Sequence, residues 1–143
     1  MDFTTALVNP QEGYDRRRGL MALWRALAAE PTLALAPELE AFVSEHRSYD
    51  IEEAAVLGLI LDVRARGRGE PVGLGVWARM LPMLLGGLDA DLRRGVVEAM
   101  AGRSPRGVFD QLYEAIGDDS LGPIDEHYAL WATRNVDQDR LPE

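Results

Sequence analysis

Residues 54–61 read AAVLGLIL, an uninterrupted apolar run, and this stretch decides the fold class of the chain. Asp50 and Glu53 precede and open it with a spacing like that of a capping box, so they predict that a helix begins just before the run. A helix that is apolar on every face has to be covered on every face by other elements. The run therefore predicts a central helix with the rest of the chain packed around it.

Caps and helix-breaking residues divide the chain on either side of this run into further helices. Helix starts are predicted where an N-cap residue or a proline suited to the first helical position occurs: Asn9 and Pro10, Pro37, Asp89, Ser104 and Pro105, and Pro123. A helix over 72–86 should be kinked at Pro82. No stretch alternates apolar and polar residues for long enough to predict a strand.

Together these signals predict an all-α fold, a single compact domain of about six or seven helices over residues 1–133. Residues 134–143 form a polar tail that should be frayed. With 143 residues and 47% apolar types, the chain can build one core without a metal or a disulfide. A helical bundle and a short stacked array of helix hairpins both fit the pattern.

The composition removes several classes of chemistry. The chain has no cysteine, and all 15 of its Lys+Arg residues are arginine. Disulfides, thiolate zinc sites, cysteine nucleophiles, a P-loop lysine and lysine Schiff bases are therefore excluded. His46 and His127 each follow a glutamate, and neither belongs to an HExxH or ExxH motif, so no metal site is expected. No cofactor is expected either, and the sequence favours a non-enzymatic role.

The segment DVRARGRGEP, residues 62–71, places three arginines at alternate positions and has two interpretations. One is a nucleic-acid site. The other is the C-terminal end of the central helix, where the dipole stabilises cations and Gly67 supplies a left-handed C′ residue. The second interpretation is favoured, because it gives Arg64 and Arg66 a structural role without any ligand.

Residues 89–116 read as helix, short turn and helix, which is the spacing of a DNA-reading helix–turn–helix motif. The second helix would turn Asp110 and Glu114 outward, where carboxylates repel phosphates. Its apolar residues should face inward: Val108, Phe109, Leu112, Tyr113 and Ile116. A DNA-binding regulator is therefore a minor alternative, and nucleic acid is not an expected partner.

Charge is distributed unevenly along a chain whose formal net charge is −9. Residues 54–107 carry eight arginines and five acids and lie between two acidic segments: residues 30–53, with one arginine and seven acids, and residues 108–143, with two arginines and nine acids. An aromatic anchor with an acidic rim has the composition of a protein-binding hot spot. The candidate protein-binding residues are Asp118, Asp119, Asp125, Glu126, Tyr128 and Trp131. The alternative is that the helix carrying Tyr128 and Trp131 simply closes the core.

The segment GRSPRG, residues 102–107, could hold an anion at a helix N-terminus through Arg103, Ser104 and Arg106. The favoured interpretation is a C-cap glycine followed by an N-cap serine and a proline, which turn the chain. Three acid pairs have a similar local explanation, since the dipole stabilises carboxylates at predicted helix starts: Glu52 and Glu53, Asp118 and Asp119, and Asp125 and Glu126.

These patterns favour a small acidic interaction module that binds a basic protein and blocks or scaffolds it. In size and charge, though in no motif, the chain resembles bacterial immunity proteins and phage-encoded inhibitors. The main alternative is an enzyme or small-ligand protein with a pocket between helices. The N-terminus lacks a signal-peptide pattern and no segment predicts a membrane span, so a cytoplasmic location is expected. A homo-oligomer is compatible with the sequence.

Overall fold

The described part of the chain is helical wherever it is regular. A computed structural model describes residues 2–13 and 15–143. Its α-helices are α1 (Phe3–Val8), α2 (Arg16–Ala29), α3 (Pro37–Glu45), α4 (Ile51–Gly67), α5 (Leu74–Met80), α6 (Met83–Gly86), α7 (Ala90–Ala99), α8 (Pro105–Gly117) and α9 (Pro123–Asn135), followed by a 3₁₀ turn over Gln138–Arg140. Because only Leu81 and Pro82 separate α5 from α6, counting them as one kinked helix gives eight helices in these residues. The all-α class is confirmed, and Pro82 lies at the break.

Helix α1 explains why the predicted count of six or seven helices is slightly low, and two aspartates set the helix starts near the N-terminus. Asp2 accepts a hydrogen bond from the backbone N–H of Thr4 at 3.0 Å and caps α1, which the sequence signals did not reveal. Asp15 accepts from the N–H of Arg18 and begins α2, so that helix does not start at Pro10. Several capping side chains compete over this stretch, and tertiary packing decides which of them is used.

The central helix predicted from the apolar run is α4. Residues 53–60 are all buried, and α4 packs against α2, α3, α5, α6 and α7, while α5 packs against α8 and α9. Contacts between helices so distant in sequence make a compact bundle around α4 and α5, not an array in which each hairpin touches only its neighbours. Neither α4 nor any other helix of the described residues has the length and hydropathy that spanning a bilayer requires.

Gly58 allows α4 and α5 to approach each other closely. A Cβ atom at this position would lie 3.0 Å from Cγ of Met80, 3.2 Å from Cβ of Arg79 and 3.2 Å from the backbone oxygen of Val76. An added Cβ would therefore crowd this contact, and neighbouring atoms of α5 would have to shift by a few tenths of an ångström. Because α5 supports α8 and α9, this contact also positions the C-terminal part of the bundle.

Arg79, on α5, brings a cation into the core, with 2% of its surface exposed. Its guanidinium donates to the backbone carbonyls of Val43 at 3.0 Å and Ser44 at 2.9 Å, in the last turn of α3. It also lies over the Tyr128 ring, 4.1 Å from the ring centroid. The negative end of the α3 dipole and the aromatic face offset the cost of burying the charge.

Tyr128 of α9 holds the loop between α3 and α4, residues 46–50, from the same side. Its hydroxyl accepts a hydrogen bond from the N–H of Ser48 at 3.1 Å and donates one to the carbonyl oxygen of His46. Residues of α5 and α9 thus fix the end of α3 and the loop that follows it.

The C-terminal segment 134–143 departs from the prediction of a frayed tail. Helix α9 continues to Asn135, and Leu141 is buried. The guanidinium of Arg106 donates to the carbonyl oxygen of Leu141 at 2.9 Å. The backbone N–H of Arg106 donates to the carbonyl oxygen of Pro142 at 3.2 Å. One buried leucine and two hydrogen bonds hold a segment that its polar composition alone marks as mobile.

Replacing Gly58 by alanine should lower the free energy of unfolding by about 1–3 kcal/mol, the usual cost of overpacking a core. Gly117 provides the control, because it also lies in a helix but a Cβ there would have no neighbour within 4 Å. Gly117→Ala should raise the free energy of unfolding by about 0.4–1 kcal/mol, since alanine has the higher helix propensity. Urea denaturation measures both values, and a stabilising Gly58→Ala would contradict the close contact of α4 with α5.

Candidate functional site

The arginine-rich segment DVRARGRGEP is engaged inside the protein. Arg64 is buried, donates to the carbonyl oxygen of Leu33 at 2.7 Å and forms an ion pair with Glu40. Arg66 donates through its guanidinium to the carbonyl oxygen of Ala99 at 3.0 Å. The structure therefore supports the interpretation of this segment as a helix end that ties α4 to its neighbours.

The left-handed residue after α4 is Gly69, with φ 67°, and not Gly67 as the sequence suggested. Helix α4 extends through Gly67 itself. A Cβ at Gly67 would lie 2.9 Å from Cβ of Pro31, so glycine serves close packing there.

Several of the donors expected at the anion candidate GRSPRG bond to groups of the protein itself. The backbone N–H of Gly107 donates to the Ser104 hydroxyl at 3.0 Å, which is the N-cap of α8. The N–H and the guanidinium of Arg106 are engaged by the C-terminal segment, as described above. Arg103 lies over the Trp77 ring, 5.0 Å from its centroid. This arrangement supports the interpretation of the segment as a turn and a helix cap.

Helices α7 and α8 occupy the positions of the proposed helix–turn–helix, yet their main packing partners differ. Helix α7 packs on α4 and α6, whereas α8 packs on α5 and α9. Asp110 and Glu114 are exposed on α8, as the sequence predicts. A recognition helix would present these carboxylates to the phosphates of DNA.

None of the nine acids of residues 108–143 forms an ion pair within the described residues, and the same segment holds only two arginines. These nine residues, here named the C-terminal acids, are Asp110, Glu114, Asp118, Asp119, Asp125, Glu126, Asp137, Asp139 and Glu143. The acids that do form ion pairs all precede them: Glu40, Glu52, Glu53, Asp62 and Asp91. Asp125 and Glu126 are partly buried, and the other C-terminal acids are exposed. Their charge is therefore directed toward solvent.

The two aromatic residues proposed as anchors among these acids lie in the core. Tyr128 is fully buried and Trp131 is 5% exposed, so the alternative, a helix that closes the core, describes their surroundings. The exposed aromatic residue of this region is Tyr113 on α8, with 51% of its surface accessible. Sequence reasoning placed Tyr113 inside, because it lies at the edge of the stripe of inward-facing residues. Its ring rests edge-on against Phe109, with centroids 4.8 Å apart.

Asp118 and Asp119 follow the end of α8 and do not begin a helix, contrary to the sequence interpretation. Asp118 is the C-cap residue, and Asp119 adopts the left-handed conformation with φ 55°. The helix dipole disfavours carboxylates at this end, and glycine is the usual residue at a left-handed C′ position. Both aspartates thus occupy positions that cost stability. Asp125 and Glu126 do lie in the first turn of α9, as predicted.

His46, Glu53 and Arg16 form a polar cluster that the sequence did not reveal. Nε2 of His46 and Nε of Arg16 lie 2.8 Å and 2.9 Å from the same oxygen of Glu53, which is buried. Burial raises the pKa of Glu53, but the hydrogen bonds from His46 and Arg16 outweigh it and leave the pKa below its ordinary value. The cluster joins α2 and the loop before α4 to the first turn of α4.

This cluster contains one element of acid–base chemistry, an imidazole oriented by a carboxylate. The groove beside Glu53 is lined by Pro10, Gln11, Asp15, Arg16, Arg17 and Asp50, and His46 does not reach it. In residues 2–13 and 15–143, no group of three or more His, Asp or Glu side chains is arranged to hold a metal ion. The geometry assigns the cluster a structural role.

Replacing Glu53 by glutamine should lower the free energy of unfolding at pH 7 by about 1–3 kcal/mol, because charge-assisted hydrogen bonds to a buried carboxylate are lost. A carboxylate whose pKa is lowered by folding stabilises the fold at neutral pH and loses that contribution as pH falls. The difference between wild type and variant should therefore narrow below pH 4.5, the ordinary pKa of a glutamate. Urea denaturation at several pH values measures it. Exposed Glu30, replaced in the same way, is the control, and a difference that stays constant with pH would contradict the ionic role of Glu53.

Replacing Asp119 by glycine should raise the free energy of unfolding by about 1 kcal/mol, since glycine relieves the left-handed backbone and removes a carboxylate from a helix C-terminus. Asp118→Gly is the matched control. It also removes a carboxylate and adds a glycine, but φ at Asp118 is −97°. Denaturation at low ionic strength compares the two variants. Equal stabilities would show that the backbone at Asp119 carries no cost.

No family model, no curated protein and no solved structure matches this chain. Its function is therefore inferred from the geometry described above.

Proposed function

We propose that this chain is an acidic interaction module that binds a basic protein partner through its C-terminal acids and blocks or scaffolds that partner. The observation that carries the proposal is that residues 108–143 hold nine acids against two arginines, and that none of these nine carboxylates forms an ion pair within the described residues. The arginines of residues 54–107 that form hydrogen bonds or ion pairs do so with backbone carbonyls or with acids that precede residue 108. They therefore do not neutralise the C-terminal acids.

Such a distribution of charge acts on a partner before contact. A surface of one sign accelerates the encounter with a surface of the opposite sign, and the acceleration falls as salt is added. At a Debye length of about 8 Å in physiological salt, a cluster of carboxylates attracts a partner more strongly than the same charges would if they were dispersed. The expected partner surface is rich in lysine or arginine.

Tyr113 supplies the apolar contact that charge alone lacks. It lies between Asp110 and Glu114 on the exposed face of α8. Tyrosine is enriched at the centre of protein interfaces, where a buried ring is surrounded by polar contacts. The outer face of α8 thus combines an accessible ring with flanking carboxylates, the composition that the sequence led us to seek around Tyr128 and Trp131.

The position of Asp118 and Asp119 adds a second line of support. Both carboxylates occupy sites where neutral residues or glycine would stabilise the fold, and natural proteins keep such costs where function requires them. A negative charge at the end of α8 extends the acidic face of that helix.

The test compares two triple variants that change the net charge equally. Asp110→Asn, Glu114→Gln and Asp118→Asn neutralise the face around Tyr113, whereas Glu12→Gln, Glu30→Gln and Glu98→Gln neutralise exposed acids elsewhere. Proteins captured from a bacterial lysate at low and high salt are identified by mass spectrometry. The purified partner is then used to measure association rates.

Wild type and the control triple variant should capture the same basic protein, and high salt should weaken both. The variant of the α8 face should associate about tenfold more slowly and show a weaker dependence on salt, because steering charges act mainly on the association rate. Equal association rates for the two triple variants would refute the proposal, as would the absence of any captured basic protein.

A further inference from the structure

A shallow groove lies where the α3–α4 loop meets the outer side of α9, and the function proposed above does not use it. Its volume is about 440 Å³, and it is lined by Tyr49, His127, Leu130, Trp131, Arg134 and Asn135. Binding sites for small ligands have volumes of about 300–1,000 Å³, so the groove has room for a ligand the size of a mononucleotide.

Aromatic rings form one wall of the groove. Tyr49 is 69% exposed, and its ring meets His127 edge-on, with centroids 5.0 Å apart. His127 in turn meets the buried Tyr128 at 4.9 Å. A tyrosine so exposed at the margin of a groove offers a face on which a planar ring can stack.

The one permanently charged side chain that lines the described groove is cationic although the chain is acidic. Arg134 lines the groove and Arg47 lies two residues before Tyr49; both are exposed, and neither forms an ion pair within the described residues. Burial lowers the pKa of His127, and the charges of Arg47 and Arg79 lower it further. Glu126 precedes His127 in sequence but does not line the groove.

His127 also has an unmet hydrogen bond. Its Nε2 atom is shielded from solvent and has no hydrogen-bond partner among the described residues. A shielded polar atom without a partner costs free energy.

The loop that carries Arg47 and Tyr49 is held in place before any ligand arrives. Tyr128 bonds to the backbone of His46 and Ser48, on either side of Arg47, and Arg79 fixes the end of α3. A site that is already ordered loses less conformational entropy on binding. The rings and the guanidinium groups are thus presented together by a rigid framework.

We propose that this groove binds a small planar aromatic molecule that carries an anionic group, either a phosphate or a carboxylate. The ring packs against Tyr49 and His127, and the anionic group lies within reach of Arg134 and Arg47. Trp131, which is almost fully buried, contributes its accessible edge to the wall of the groove.

The test is a titration of the full chain with each probe molecule. Binding is monitored through the chemical shifts of the backbone amides. Adenosine 5′-monophosphate supplies a ring with a phosphate, and 1-naphthoate supplies a ring with a carboxylate. Adenosine and inorganic phosphate supply the ring and the anion alone. At least one of the two aromatic anions should shift the amides near Tyr49 and Arg134 saturably, with an affinity about tenfold above that of adenosine or phosphate. The arm that binds identifies the anionic group.

Two exposed positions allow substitution without disturbing the core. Tyr49→Ala and Arg134→Gln should each weaken binding about fivefold to tenfold, as expected when one stacking or charge contact is removed. Tyr113→Ala and Arg140→Gln, which replace an exposed tyrosine and an exposed arginine elsewhere, should leave the affinity unchanged.

The proposal is overturned if neither aromatic anion causes a saturable shift at about 10 mM, a concentration well above a millimolar dissociation constant. It is also overturned if phosphate alone binds with equal affinity. Unchanged affinity in both Tyr49→Ala and Arg134→Gln would overturn it as well. The groove and the acidic face of α8 use different residues. The failure of one proposal therefore leaves the other standing.

Discussion

The polar organisation of the molecule depends on the contacts of the buried Arg79 guanidinium with the end of α3 and with the ring of Tyr128. A cation removed from water has to be compensated, and here carbonyl oxygens at the end of α3 and the face of Tyr128 provide the compensation. The same contacts fix the loop that carries His46 and Tyr49. Arg79 lies on α5, and α5 packs closely against α4 at Gly58, where an added Cβ would crowd Met80 and Arg79. The close approach of two apolar helices thus helps to position the polar groups of the loop.

Arginine performs one structural task repeatedly in this chain. Five arginines donate side-chain hydrogen bonds to backbone carbonyls at helix ends or in loops: Arg64, Arg66, Arg79, Arg93 and Arg106. The guanidinium group offers five N–H donors in a fixed plane and remains charged when buried, whereas lysine offers a single point charge. Hydrogen bonds from arginine side chains therefore connect several helices and loops of this lysine-free chain. None of these five arginines pairs with a C-terminal acid, and residues 108–143 carry nine acids against two arginines.

Sequence reasoning succeeded where the signal is local. Asp50, Asp89, Ser104 and Pro123 mark helix starts that the structure confirms, and the apolar run predicts the central helix because burial on all sides leaves a pattern in one dimension. It failed where distant residues decide the outcome. The pairing of His46 with Glu53 crosses a helix start, and the burial of Leu141 depends on Arg106.

The exposure of Tyr113 and the burial of Tyr128 show the same limit of sequence-based prediction at the candidate site. Both residues lie in amphipathic helices, and periodicity alone does not say which edge of the apolar stripe a neighbouring helix covers. Helix α8 leaves Tyr113 at an uncovered edge, whereas Tyr128 is enclosed between α5 and the α3–α4 loop. The groove at Tyr49 could not be predicted from the sequence for a related reason. Its lining comes from the α3–α4 loop and from α9, and the hydrogen bond from Ser48 to Tyr128 joins the same two segments across 80 residues.

A cationic groove is compatible with a net charge of −9, because charges near a protein surface act over short distances. With screening over about 8 Å in physiological salt, a small anion responds to the groups that it can touch. At the groove, the charged side chain in the lining is Arg134. A protein partner covers a much larger area and responds to the sum of many carboxylates along α8 and α9. If both proposals hold, exposed arginine at the groove and exposed carboxylates along α8 would let one small helical bundle offer surfaces of opposite sign to ligands of different size.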